Sequence, residues 1–222
     1  MTATGEVTAA RILEAGRQLI MRRGYSGFSY ADIAEAIDIR KASIHHHFPS
    51  KAELAIAVVR EQRERFDADM AALQAHGADG LAQLRAYVDH WERCIADDSA
   101  PFCVAGMLGA ELPALPDEVA QEVRAHFENL AAWLEPLLES AAKEKLIQLG
   151  SPVETETASL VSVIYGAMLA ARAFGDAGIF KSVTEEAIKR LVKAPKRTTS
   201  TPKRTPRTTG STPAPRRRRA SA

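Results

Sequence analysis

The chain has 222 residues, 46% of them apolar, and a formal charge of +1 at pH 7, which is enough apolar material for one large or two small domains. No run approaches the roughly 18 consecutive apolar residues that cross a bilayer, and residues 1–6 lack the charged-then-apolar pattern of a secretory leader. A cytoplasmic protein without a membrane partner is therefore expected, and its two cysteines, Cys94 and Cys103, exclude a disulfide scaffold and lack paired metal-ligand spacing.

The charge balance conceals an asymmetry. Ten of the 29 Lys and Arg residues lie from Lys193 onward, where no acidic residue occurs, leaving 19 against all 28 Asp and Glu, about −9 for residues 1–192. An acidic body confines nucleic-acid binding to local basic surfaces.

In chain order, residues 7–23 place Ile12, Leu19 and Ile20 at helical spacing and stop at Arg22-Arg23-Gly24, which predicts a first helix with a basic end. Tyr25 and Phe28 follow in a loop. Ser29 and Asp32 then have the spacing of a capping box, so a helix begins near Tyr30. Its apolar residues Ile33, Ala34 and Ile37 share a face; Asp38-Ile39 breaks the period, and Ile44 and Phe48 resume it four apart. The pattern is helix, turn, helix. Neither two-turn helix is stable alone, so both must pack on neighbours in a small core with Tyr25 and Phe28.

The second helix leaves Arg40, Lys41, Ser43, His45 and His46 outward, a surface of donors without a carboxylate. In a helix-turn-helix this element enters the major groove, so double-stranded DNA is the expected partner. Ser29 and Tyr30 start the supporting helix beside the DNA backbone. Ser50 and Glu53 repeat the capping-box spacing and open a helix over 51–76, with Lys51 in its first turn, where an amino terminus favours anions.

Leu81, Leu84, Val88, Trp91 and Ile95 form the stripe of the next helix, ended by residues 97–101. A short helix over 102–112 follows, then a long one over 117–149 in which Pro136 predicts a kink or a join. Between residues 154 and 174 apolar side chains cover more than one face, and Ser182 with Glu185 is the predicted cap of a final broad-striped helix. Helices apolar on two sides are covered on two sides. The simplest arrangement is a two-fold bundle, a homodimer through the last two helices. Residues 194–222 switch to Thr, Pro, Ser, Lys and Arg, the composition of a disordered basic tail, either a solubilising segment or an arm drawn to phosphates.

Adjacent positions on a helix point about 100° apart, so His45, His46 and His47 cannot converge on one ion. No phosphate loop or nucleophile elbow occurs, so neither an enzyme nor a cofactor or metal is expected. The carboxy-terminal helices can enclose a ligand chamber, for which Tyr87, Trp91, Cys94, Cys103, Met107, Phe127 and Tyr165 are candidate lining residues; plain core is the competing role for each.

The run Phe28-Ser29, Asp32-Ile33-Ala34, Asp38-Ile39, Ser43-Ile44-His45-His46-His47-Phe48, Lys51 and Glu53-Leu54 resembles the amino-terminal domain of TetR-type transcriptional regulators. The likeness is close over about the first quarter of the chain. It departs at Asp38, where the family usually has glycine, and at His45, where it usually has tyrosine. Aspartate tolerates a left-handed turn. The resemblance implies an all-α protein, with a three-helix DNA-binding domain over 1–50 and a helical ligand-binding and dimerisation domain over 51–193; it does not cover the tail over 194–222, which composition alone marks. It implies a repressor that binds a palindromic operator as a homodimer and is released by a small-molecule effector, with a phosphate contact from Lys51. An architectural DNA-binding protein acting through the tail is the alternative from composition.

Residues 103–112 are similar to a segment in those regulators of this type that carry a cysteine here, some of which respond to electrophiles or oxidants. No positive charge stands near Cys103 in the sequence, and Asp97 and Asp98 oppose its ionisation, so the local residues predict a buried, inert thiol.

Overall fold

A computed structural model describes residues 3–192. Every regular element among them is helical: α1 (Ala3–Arg23), α2 (Tyr30–Ala36), α3 (Lys41–His47), α4 (Lys51–Ala75), α5 (Gly80–Ala96), α6 (Val104–Ala110), α7 (Asp117–Lys143), α8 (Val153–Phe174) and α9 (Gly178–Val192), with a 3-10 turn at Leu112–Ala114. The all-α class expected from the periodicity is the observed one. The basic tail lies outside the described residues.

Two cores run through the chain. Ile12, Ile20, Phe28, Ile33 and Ile44 from α1–α3 are buried together with Leu54, Val58 and Val59 of α4, while Tyr25, Ile37 and Phe48 pack against them half-buried. This core also takes Val104 and Leu108 of α6 and Val119 and Val123 of α7, so the headpiece packs on the body across residue 50. The second core joins α5, α7, α8 and α9 around Leu84, Leu134, Leu138, Met168 and Phe180.

Local signals explain most boundaries. Asp79 caps α5 by accepting from the Ala82 N–H at 2.8 Å. Gly175, at φ 66°, supplies the left-handed residue that ends α8. The 117–149 helix ends early, at Lys143. Lys145 takes φ 61°, and the Leu146 N–H turns back to the Ala141 carbonyl at 2.9 Å, a left-handed cap that no glycine announces. Pro136 lies within α7, leaving the Ala132 carbonyl without its helical donor.

One expected cap is corrected and another is observed. Ser182 is internal to α9, its hydroxyl donating to the Ile179 carbonyl; the helix starts at Gly178, whose N–H is taken by Asp176 at 2.8 Å. At α4, Ser50 accepts from the Glu53 N–H at 3.1 Å, the Ser50 half of the expected box.

α8 is also long and apolar enough to cross a membrane by length and composition, with a mean hydropathy of 1.4 in its most apolar stretch, which counting unbroken apolar runs does not detect. Leu160, Ile164, Ala167, Met168 and Ala171 bury one side of it. Ala158, Ser162, Gly166 and Leu169 lie exposed on the other.

Candidate nucleic-acid interface and adjoining cavity

The interface grows from the cap of α2. Ser29 Oγ accepts the Ala31 N–H at 3.2 Å and donates to Asp32 Oδ2 at 2.7 Å, while the Ser29 N–H donates to the same carboxylate at 2.8 Å. The Ser29 hydroxyl and N–H, with Arg23 at 3.0 Å, hold the Asp32 carboxyl below the usual carboxylate range. Asp38 adopts φ 52°, the left-handed turn between α2 and α3 that aspartate tolerates. Arg40 is the N-cap of α3 but makes no side-chain cap bond. Its guanidinium is exposed with Lys41, His45 and His46, and Ser43 is half-exposed beside them. Five predicted contact residues thus share one solvent-facing surface. Ile44, fully buried, anchors the opposite face.

The structure turns two other candidates inward. Tyr30 is 9% exposed and its hydroxyl donates to the Phe48 carbonyl at 2.9 Å; burial, with the Glu53 charge, pushes the phenol up to about 12. Lys51 donates to the Phe28 carbonyl and stands over the Tyr25 and Phe28 rings, 4.7 and 4.2 Å from their centroids. Burial lowers its pKa, against the pull of Glu111 and Asp32. Its stem is long enough to reach the loop before α2, and there it clasps the headpiece.

A cavity of about 670 Å³ opens between α4 and α5, reaching α1, the α5–α6 loop and α7. Of the seven chamber candidates, Tyr87, Trp91 and Cys94 line it; Cys103, Met107, Phe127 and Tyr165 do not. α6 is short and docks against α8, with Gly106 so close to Tyr165 that an added Cβ would stand 2.6 Å from the ring. That docking draws the other four candidates into a layer behind the wall, where the Phe127 and Tyr165 rings lie 5.1 Å apart.

Cys103 is fully buried but not isolated. Gln62 Nε2 donates to its sulfur at 3.2 Å and the Tyr165 hydroxyl lies 3.4 Å away, itself 3.4 Å from His126 Nε2. Burial pushes the thiol up, yet His126, by hydrogen bond and charge, with Tyr165 and the Gly106 N–H, outweighs it and brings the thiol down to about 7. The expected burial of the thiol is observed, while the lowering comes from His126, which the fold brings from α7. Chain-local reading could not find it, nor Gln62.

The headpiece is tied to the body by polar clamps also invisible in the sequence. Arg172 of α8 donates to the Met21 and Arg22 carbonyls at 2.8 and 2.9 Å, satisfying the open end of α1. Glu111, after α6, accepts the Tyr25 and Ser26 N–H groups at 2.9 and 3.2 Å. Arg22 pairs with Asp98 at 2.9 Å. Glu122, buried on α7, holds Arg60 and Arg63 of α4 at 2.9 and 2.5 Å.

A buried two-helix unit with a cationic outer face, set on a helical body that encloses a cavity, defines a helix-turn-helix regulator class. Residues 12–58 match the family of bacterial regulatory proteins, tetR family, and residues 80–187 match the tetracyclin repressor-like C-terminal domain. A TetR-family transcriptional regulator from Agrobacterium tumefaciens superposes with a TM-score of 0.82 at 43% identity, over 85% of this chain and 99% of that one. The transcriptional repressor DhaR of a Mycobacterium species is 28% identical over 56% of this chain and 61% of its own length. The transcriptional regulator AcuR of Cereibacter sphaeroides is 31% identical over 48% and 50%. The chain thus spans half to three fifths of these two relatives. It belongs to the TetR family of transcriptional regulators.

Proposed function

We propose that the chain is a ligand-responsive repressor that binds a palindromic operator as a homodimer and leaves it when a small molecule fills the cavity. The observation that carries this reading is Met21. Its side chain lines the cavity, and its carbonyl is held by Arg172 of α8. Occupant, headpiece and α8 therefore meet at the end of α1. The half-apolar outer side of α8, with its small residues and Leu169, suits close packing against the same helix of a second protomer better than lipid, because its other side is already committed to protein. Two α3 helices would then enter successive major grooves about 34–36 Å apart. An occupant that fits better when the headpieces are splayed shifts the population from that spacing.

In this reading residues 1–50 contact DNA, with Arg40 and Lys41 reading bases or phosphates and Lys51 freed from Phe28 to reach a phosphate; residues 51–193 dimerise and bind the effector. Sedimentation of the protein alone and on an operator duplex tests it. Two protomers on one duplex are expected, and a monomer at micromolar concentration contradicts it.

The lowered Cys103 thiol favours a second reading, release by electrophiles. In a reaction with a maleimide, the thiolate sulfur adds to the ring alkene and the adjacent carbon takes a proton from water. Release by N-ethylmaleimide that persists in Cys103→Ser contradicts this reading.

A further inference from the structure

Three polar atoms on residues lining the cavity make no well-formed hydrogen bond among the described residues: Trp91 Nε1, His126 Nδ1 and Gln62 Oε1. Trp91 and His126 are each only 6% exposed, so bulk water does not freely serve them. Each atom has a defined chemistry. An indole N–H can only donate. The Trp91 N–H is directed at the Tyr87 hydroxyl, whose pKa it lowers as a donor, without reaching the geometry of a well-made hydrogen bond, so a ligand acceptor competes with that hydroxyl for Nε1. The Gln62 amide is oriented by its Nε2 donation to Cys103 at 3.2 Å, which leaves Oε1 as an acceptor.

The walls around these atoms are aromatic. Phe66 meets Tyr87 edge to face at 5.5 Å, and Trp91 and Phe102 add two further rings. Of the charged groups on the lining, Arg65 is exposed and paired with Glu61, the half-buried Arg17 is paired with Glu14, and Asp69 and Arg93 are exposed. His126 Nε2 is already engaged with the Tyr165 hydroxyl at 3.4 Å. An anionic ligand would lose its hydration at the floor without gaining a fixed counter-ion.

We infer that the cavity takes a neutral aromatic compound bearing a carbonyl-type acceptor for the Trp91 N–H and a hydroxyl or amide donor for Gln62, and that it rejects carboxylates. This rests on reading the cavity as the effector site. The volume of about 670 Å³ lies within the range of small-molecule pockets.

Calorimetric titration of the full-length protein with three probes tests it. 4-Hydroxybenzophenone carries both groups, 4-hydroxydiphenylmethane lacks the carbonyl, and 4-benzoylbenzoate is the anion. The first should bind about tenfold more tightly than each of the others, as one well-made hydrogen bond or one uncompensated charge requires. Trp91→Phe should abolish the preference for the carbonyl while leaving 4-hydroxydiphenylmethane binding unchanged. Should that variant fail to fold, Gln62→Met should instead erase the preference for 4-hydroxybenzophenone over benzophenone. Equal or tighter binding of the carboxylate, a carbonyl preference that survives the variant, or no binding of 4-hydroxybenzophenone at millimolar concentration overturns the inference. Binding with the expected pattern but without loss of DNA affinity upholds it and overturns the effector reading instead.

Discussion

His45 offers DNA one defined polar atom. Its Nδ1 lies 3.2 Å from the Pro49 carbonyl, which can only accept, so a hydrogen is on Nδ1, and an imidazole in that tautomer would present Nε2 as an acceptor. An acceptor suits the amino groups of adenine or cytosine in the major groove. The Tyr30 ring, 4.8 Å away, helps to fix that orientation. His45→Tyr should therefore change the preferred base at one position of each half-site, with a discrimination of about 1–3 kcal/mol. Lys41→Ala, by contrast, should weaken binding to all sequences alike and flatten the salt dependence by about one unit of slope per subunit. Competition binding on a panel of duplexes separates the two outcomes. Both departures from the family pattern were legible in the sequence, because a turn needing positive φ and an outward position are local properties. The state of Cys103 was not. Its thiol titrates at about 7 in the folded chain against an ordinary value of 9.0, so between those limits the unfolded chain binds more protons and stability rises with pH. Relative to Cys103→Ser, the unfolding midpoint of the wild type should rise from about pH 7 to about pH 9 and fall back on acidification. A difference constant across that range removes the lowered thiol.

At the scale of elements, caps and periods within a few residues of each other located nearly all the helices, since those interactions close over one or two turns. The clamps between headpiece and body did not follow from any period. Arg172 reaches residues about 150 positions earlier, and Glu111 reaches back more than 80 to a loop whose Gly24, at φ 75°, brings its Cα against the carboxylate. Ser182 shows the opposite failure: the spacing to Glu185 is right for a cap, but Asp176 captures the first free N–H of α9 earlier in the chain. Glu111→Ala leaves the Tyr25 and Ser26 N–H groups without their acceptor. It should cost on the order of 1–3 kcal/mol and speed hydrogen exchange selectively in residues 24–27. Arg172→Ala should loosen the end of α1 in the same measurement, and exchange that stays at wild-type rates in both variants would dissolve the proposed link between cavity and headpiece.

For the whole molecule, the proposed dimer would have the distance between its two headpieces set by α8 and α9. α8 leaves Ala158, Ser162 and Gly166 open, and an added Cβ at Gly166 meets nothing within 4 Å. Leu169 and Phe174, 59% and 77% exposed, extend this face. A charge placed there should separate protomers without disturbing either core. Leu169→Asp should sediment as a monomer with unchanged helix content and lose high-affinity operator binding, and a stable dimer would move the interface elsewhere. The central claim is that α3 reads sequence twice, once per protomer. Selection of bound sites from random duplex DNA by the full-length protein tests it most directly. An enriched inverted repeat with half-sites one helical turn apart, shifted at one position per half-site by His45→Tyr, is the predicted result, and binding without enrichment of any sequence would contradict it.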